Sequence, residues 1–283
     1  MKQFIIALFL CVASVDCAAY DIVYSRSDSI KVVSLLSKAA AESENTNYII
    51  YFARLLKGIP YVAHTLEVNK TEKLVVNLRQ LDCTTYVENV FALYLCMKQK
   101  KLTFQAFCHN LYTLRYRRGA GVHYASRLHY FTDWIADNHA KGLCEEVQGP
   151  VPPFSAVQKI NVYFMSTYPE KYKMLKDNPA DIPEIAASEK RLNGSIYRYI
   201  PKSAVRNTRL LRRTVRDGDI IALTTTLKGL DIQHIGFAVW HDDGLHLLNA
   251  SSLRRKVVEE PQTLYTYLQK QKSMTGMRII RVM

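Results

Sequence analysis

Apolar positions recur at helical spacing through the first half of the chain and gather into short β-branched runs in the last third. Ile30, Val33, Leu35 and Leu36 predict a helix from about Ser29 to Glu44, with Asp28 placed to cap it. A second helix is predicted from Asn47 to Leu56, stopped by Gly58 and kept from resuming by Pro60. Extended pieces around Leu66–Val68 and Leu74–Leu78 follow. The strongest helix runs from Cys83 to about Met97 behind Asp82, a natural N-cap. Another begins after Thr103 and ends before Arg117, and a third covers about Ser126–His139. The Gly149-Pro150-Val151-Pro152-Pro153 stretch breaks the chain but is too short to divide a domain. Strands are expected over Asp219–Thr225, His234–Trp240 and Leu245–Asn249, then a helix near Gln262–Gln271 and a strand near Met277–Val282. Helices first and antiparallel strands later predict an α+β fold with segregated layers.

The N-terminus reads differently. Lys2 precedes the apolar run Phe4–Leu10, and the small residues Cys17-Ala18-Ala19 come just after. That is the layout of a secretory signal peptide, and the run is too short to span a bilayer. Residues 1–19 are therefore expected to be a signal, and residues 20–283 a single catalytic domain with helical insertions. The mature protein is expected to be secreted across the inner membrane into the periplasm, as a monomer. Asp16 fits a lipoprotein cleavage box poorly, and a lipid anchor stays open. No other segment reads as transmembrane.

Composition narrows the partners. At 48% hydrophobic and 22% charged, 283 residues can bury a core without metals or disulfides. The net charge is +13, partly from Arg206, Arg209, Arg212, Arg213 and Arg216. No aromatic residues interleave with these arginines as nucleic-acid stacking requires, so a solvated basic face is expected, and no nucleic-acid partner. A non-catalytic basic module binding the cell wall is the alternative that this run would support. Six cysteines show neither a CxxC pair nor zinc spacing, so no metal is expected. With Cys83 working as a thiol, at most one disulfide can join two of Cys96, Cys108 and Cys144.

Two short motifs carry candidate chemistry. Cys83 sits just inside a helix N-terminus, where free N–H groups and the helix dipole favour a thiolate and can cradle an oxyanion. His234 opens a strand, with Gly236 leaving room beside its ring. Either residue alone reads as structural; together they are the papain-like order of nucleophile and base.

The sequence resembles NlpC-type cell-wall cysteine peptidases in the order of Gly58-Ile59-Pro60-Tyr61, Asp82-Cys83, Gly218-Asp219 and His234-Ile235-Gly236. It is more specifically similar to their N-acetylmuramoyl-L-alanine amidase-like branch, through Leu81–Asn89, Ser126–Phe131 and Gly229–Gly236. The likeness runs from about residue 45 to the C-terminus. It implies a papain-like core with the nucleophile's helix packed on a central antiparallel sheet. It implies hydrolysis of the amide between the muramic-acid lactyl group and L-alanine in muropeptides, including anhydro forms, with no cofactor. A stem-peptide endopeptidase would use the same constellation. Cys83 would be the nucleophile and His234 the general base and then acid.

The family's third member is commonly a histidine, and Asn249 holds its place here. An even-length loop after Trp240 would put Asn249 on the face of His234, and an odd one would favour His246. The Asp243-Gly244 pair suggests a two-residue turn, which favours Asn249. Tyr61 matches a tyrosine near the family's active site. Asp82, Arg127, His129 and Tyr130 are further candidates for substrate contact, with pairing to a structural acid as an equal alternative for Arg127. Trp134 is expected in the core.

Overall fold

The computed structural model describes residues 20–283, so the signal peptide expected over residues 1–19 lies outside the described residues. The chain begins with β1 (Ile22–Val23), α1 (Arg26–Ala39), α2 (Tyr48–Leu55) and β2 (Leu74–Val75). It continues with α3 (Cys83–Lys98), α4 (Phe104–Arg115), α5 (Phe131–Ala140), β3 (Cys144–Val147) and β4 (Ala156–Lys159). Three short helices follow: α6 (Phe164–Thr167), α7 (Lys173–Asp177) and α8 (Ile182–Leu192). Then come β5 (Ile196–Pro201), α9 (Arg209–Thr214), β6 (Ile220–Thr225), β7 (Ile232–Trp240), β8 (Leu245–Ser251), β9 (Lys256–Glu259), α10 (Leu264–Lys270) and β10 (Met274–Val282).

An antiparallel sheet in the order β4-β5-β10-β6-β7-β8-β9, with β3 also paired to β10, forms the centre. Side chains alternate across it. Ile220, Ala222, Ile235, Phe237 and Val239 face a core shared with α1 to α5. Ile221, Leu223, Ala238, Leu245 and Leu247 face a second core closed by Leu211 of α9 and by Leu264 and Leu268 of α10. A third apolar cluster joins Tyr124 and Tyr130 to Met165, Leu175 and Ile185 of the α6–α8 segment. The architecture is mixed α+β with an antiparallel sheet, as expected, and helices cover both of its faces.

Helix α3 is buried nearly all round, because it lies between α1, α2 and α4 on one side and the sheet on the other. The Tyr86 ring meets Phe237 of β7 edge-on at 5.6 Å, and its hydroxyl donates to the Ala53 carbonyl at 3.0 Å. An aromatic pair of this kind contributes about 0.5–1.5 kcal/mol beyond burial. These contacts fix the first turns of α3 against the middle of β7 and the end of α2.

Several expected boundaries shift. Helix α1 starts earlier than Ser29: Ser25 is its N-cap, and Asp28 is the third helical residue, returning a bond to the Ser25 N–H. The helix ends at Ala39 rather than Glu44, where the polar run that follows turns away. Leu66–Val68 forms no strand, whereas Leu74–Val75 pairs in parallel with Ile22–Val23. The helix expected from Ser126 begins only at Phe131. A single turn at Tyr124–Ser126 precedes it, and Arg127 to Tyr130 are extended between the two. Local hydrogen bonds decide this: Ser126 Oγ donates to the Gly121 and His123 carbonyls, closing the turn on itself. Asn47 caps α2 and donates to the Asp217 carbonyl, close against Gly218, whose φ of +89° only glycine adopts readily. Among the described residues, no helix is long and apolar enough to cross a membrane. Cys83, Cys96, Cys108 and Cys144 are all free, the last three fully buried.

Candidate active site

Asp82 determines where Cys83 sits. Its carboxylate accepts the Thr85 N–H and hydroxyl, both at 2.8 Å, and its own N–H donates to the Thr85 hydroxyl at 2.9 Å. This reciprocal box starts α3 at Cys83 and satisfies the third N–H of the helix. The N–H groups of Cys83 and Thr84 have no partner within the helix. The Cys83 thiol meets the Ile235 N–H and the N–H and hydroxyl of Thr84.

The helix terminus does not leave Cys83 as a thiolate. Burial, reinforced by the Asp82 charge, pushes its pKa up to about 12, against the pull of the three N–H and O–H contacts. This reverses the sequence expectation of a lowered pKa. The dipole of one helix end is a modest effect, and here it is outweighed because the thiol is partly withdrawn from solvent and a carboxylate sits at the adjacent residue.

His234 stands at a distortion in the sheet. Leu223 pairs with His234, but Thr224 pairs with Ile232, so Gln233 is the extra residue of a bulge. Bulges of this kind re-aim neighbouring side chains. His234 Nε2 lies 2.8 Å from Asn249 Oδ1. The Asn249 amide nitrogen points to the carbonyls of Leu247 and Val258, which fixes its oxygen toward the imidazole. Nε2 therefore carries the proton and Nδ1 keeps its lone pair. Burial pushes the His234 pKa down, opposed by Asn249 and by the negative charges of Glu260 and Asp82. The resting imidazole is neutral.

Register explains the pairing. Trp240 pairs with Leu245 and Phe237 with Leu248, and His241 and Gly244 close a two-residue turn between the strands. Asn249 thus shares the face of His234, while His246 lies on the opposite face, bonded to the Glu260 carbonyl and the Asp243 carboxylate. Gly236 faces Asn249 directly: a Cβ there would come within 2.8 Å of the Asn249 Cβ and the Leu248 carbonyl oxygen. The room left by Gly236 is occupied by Asn249 on its way to the imidazole.

Cys83 and His234 line one cavity of about 230 Å³, walled by Thr84, His129, Tyr130, Met165 and Tyr172. A neighbouring cavity of about 260 Å³ shares Thr84, Leu128 and His129 with it and adds His64, Glu67, Asp82, Glu88, Arg115 and Arg127. Tyr61 is held between Leu81 and Arg255 by backbone bonding; burial first, and then its neighbours Cys83 and Asp82, push its phenol up to about 12.

The other sequence candidates have structural partners of their own, although His129 and Tyr130 also wall the cavity. The Arg127 guanidinium pairs with Glu67 at 3.2 Å and Glu72 at 3.7 Å and lies over the Tyr124 ring. His129 donates from Nε2 to the Tyr124 carbonyl, and burial beside Arg127 holds it well below the usual histidine range. Tyr130 donates to Glu189, which also accepts the N–H groups of Met165 and Ser166. Trp134 is fully buried. Sequence reasoning missed Met165 and Tyr172, which carry no motif, and also Glu260 and Tyr267. The Tyr267 phenol of α10 is pushed up to about 12 by burial and then by its neighbours Glu260 and Cys83. An alternating reading of Lys256–Glu259 as a strand would have put Glu260 on the face of Asn249. Among the described residues, no cluster of three or more metal-ligating side chains occurs.

Comparison with known proteins shows the family. Residues 51–277 match the model of the AmiA-like, N-acetylmuramoyl-L-alanine amidase-like family. The chain belongs to that family. A solved N-acetylmuramoyl-L-alanine amidase from Bacteroides uniformis is 36% identical, with 83% of this chain and 97% of that chain covered and a TM-score of 0.77. A Bacteroides fragilis structure, provisionally named a xylanase, is 40% identical over 81% of this chain and 99% of that one, with a TM-score of 0.75. A Legionella pneumophila protein, 23% identical over 91% of this chain and 95% of that chain, shares the fold with a TM-score of 0.70. A search of curated proteins finds no significant match. Family and structural neighbours together support a cell-wall amidase.

Proposed function

We propose that this amidase is a cysteine hydrolase with a papain-like, NlpC-type centre, in which Cys83 is the nucleophile, His234 the base and Asn249 its orienting partner. The observation that carries the reading is the His234 Nε2–Asn249 Oδ1 bond, which leaves Nδ1 as the basic atom in the cavity that Cys83 lines. Its substrate is the amide between the lactyl group of N-acetylmuramic acid, including the anhydro form, and L-alanine in muropeptides.

Both groups start neutral, so attack and proton transfer go together. The Cys83 proton passes to His234 Nδ1 as the sulfur attacks the lactyl carbonyl. The Cys83 N–H at the start of α3, joined by the Thr84 N–H once the sulfur has bonded to carbon, binds the oxyanion. His234 then protonates the alanine nitrogen, the peptide leaves, and a thioester to the muramyl lactyl group remains. Water, activated by His234, releases the acid and restores the thiol.

The xylanase name of one neighbour finds no support in the site. Glycoside hydrolysis ordinarily uses two carboxylates flanking the bond, whereas the cavity of Cys83 is lined by one, Asp231, which accepts the Thr132 N–H at 2.6 Å. The apolar run near the N-terminus supports secretion to the periplasm, where muropeptides occur.

Mass spectrometry of muropeptides after incubation tests the bond. Free sugar acid plus intact stem peptide is the expected outcome, with sugar-free stem peptide left untouched. Shortened stem peptides would replace the amidase by an endopeptidase.

A further inference from the structure

Behind the His234–Asn249 pair lies a carboxylate that the reaction above does not use. Glu260 follows β9, and its N–H donates to the Leu247 carbonyl, which continues the register Leu248–Glu259 and Asn249–Val258. Glu260 therefore faces the same side of the sheet as Leu247, Asn249 and His234. It is 2% exposed, and its Oε1 has no hydrogen-bond partner. Its Oε2 reaches only the Arg254 Nε, at 3.5 Å, on a side chain half in solvent. A carboxylate buried this incompletely matched is costly unless another positive charge repays it.

We infer that Glu260 is a positioning residue that stabilises His234 when the imidazole becomes charged during the reaction. The inference rests on the catalytic reading of Cys83 and His234. A neutral thiol and a neutral imidazole must separate charge for the sulfur to attack, and inside a desolvated site that step is expensive. A fixed negative charge on the imidazole's own side of the sheet favours the imidazolium without touching the substrate. The groups facing His234 fit this division of labour. Asp82 and Cys83 approach from α3, Tyr267 from α10, and His129 with Asp231 from the cavity wall. Of these, Asp82 is occupied in capping α3, Asp231 accepts the Thr132 N–H, and burial holds Tyr267 protonated. Arg254 is the opposing charge, placed to temper Glu260 from the solvent side.

The test is the pH dependence of kcat/KM together with NMR titration of the His234 ring, in the parent protein, Glu260→Gln and Arg254→Gln. Activity is expected to rise with pH as His234 loses its proton. In Glu260→Gln, both the ring titration and this acid limb move to lower pH by about half to one unit, and the plateau falls with KM unchanged. Arg254→Gln moves both to higher pH, by less. A plateau that falls while titration and limb stay put would make Glu260 a scaffold residue and overturn the inference. If Glu260→Gln does not fold, an unmoved limb in Arg254→Gln overturns it equally. The NMR titration is independent of turnover, so a Cys83→Ala protein that still hydrolyses muropeptide would defeat the catalytic reading without deciding the Glu260 effect.

Discussion

Two polar clusters meet at the first turn of α3, and they are built oppositely. On one side Arg115 and Arg127 are buried among Glu88, Glu67 and Glu72. Arg115 Nε lies 2.8 Å from Glu88 and a second nitrogen 2.7 Å from the Val75 carbonyl, and Glu72 also accepts the Tyr116 hydroxyl. On the other side His234 keeps an imidazole nitrogen uncommitted in the cavity that Cys83 lines, and Glu260 keeps a carboxylate oxygen unpaired. The first cluster pairs its charges with one another, with Glu72 Oε2 left without a hydrogen bond, and holds the loop of residues 62–73 against α4. The second leaves valence free where a substrate can enter. Charges paired with one another specify structure; a free basic nitrogen in a cavity beside a thiol marks the place for chemistry.

The contrast can be broken experimentally. His234→Ala should lower kcat by about 10²- to 10⁴-fold while thermal unfolding stays near that of the parent, measured by turnover and circular dichroism on the same preparation. Arg115→Ala should do the reverse. Removing one partner of a buried pair costs about 3–5 kcal/mol, read as a lower urea midpoint, with turnover per folded molecule retained. Equal losses of activity and stability in both variants would erase the distinction. Asn249→Ala should cost roughly tenfold in kcat, the worth of one hydrogen bond of about 1.4 kcal/mol, with little change in KM. Unaltered kcat would remove Asn249 from the site.

The smallest effect is on stability against pH. His129 and His234 are both held below the ordinary histidine value of 6.5, by burial first. In the unfolded chain they take up protons sooner than in the fold, so stability is full above about pH 6.5 and falls as pH drops toward their folded values. Urea midpoints should decline between about pH 7.5 and 5.5, and less so in a His129→Gln protein. A flat response would mean that these rings stay hydrated.

Much of this was legible in the sequence. The N-cap Asp82, the hairpin parity that joins Asn249 to His234, and the strands that carry them follow from local chemistry and period. Arg127 and His129 were less legible, because Ser126 diverts the chain into a closed turn and delays α5 to Phe131. Their partners Glu67 and Glu72 come from a loop about sixty residues upstream that has no periodicity. The thiol's raised pKa was hidden for a different reason: desolvation is a property of packing, and the helix end alone argues the opposite sign. Met165 reaches the cavity from the short α6, whose N–H groups bond the distant Glu189 carboxylate, and Tyr172 from the turn just before α7.

The most direct test of the central claim is turnover of a defined muropeptide by Cys83→Ala, with products identified by mass and the fold checked by thermal unfolding. The account predicts parent-like unfolding, release of sugar acid and intact stem peptide by the parent protein, and no product above background from the variant. Release of the same products by Cys83→Ala at the parent's rate would contradict it.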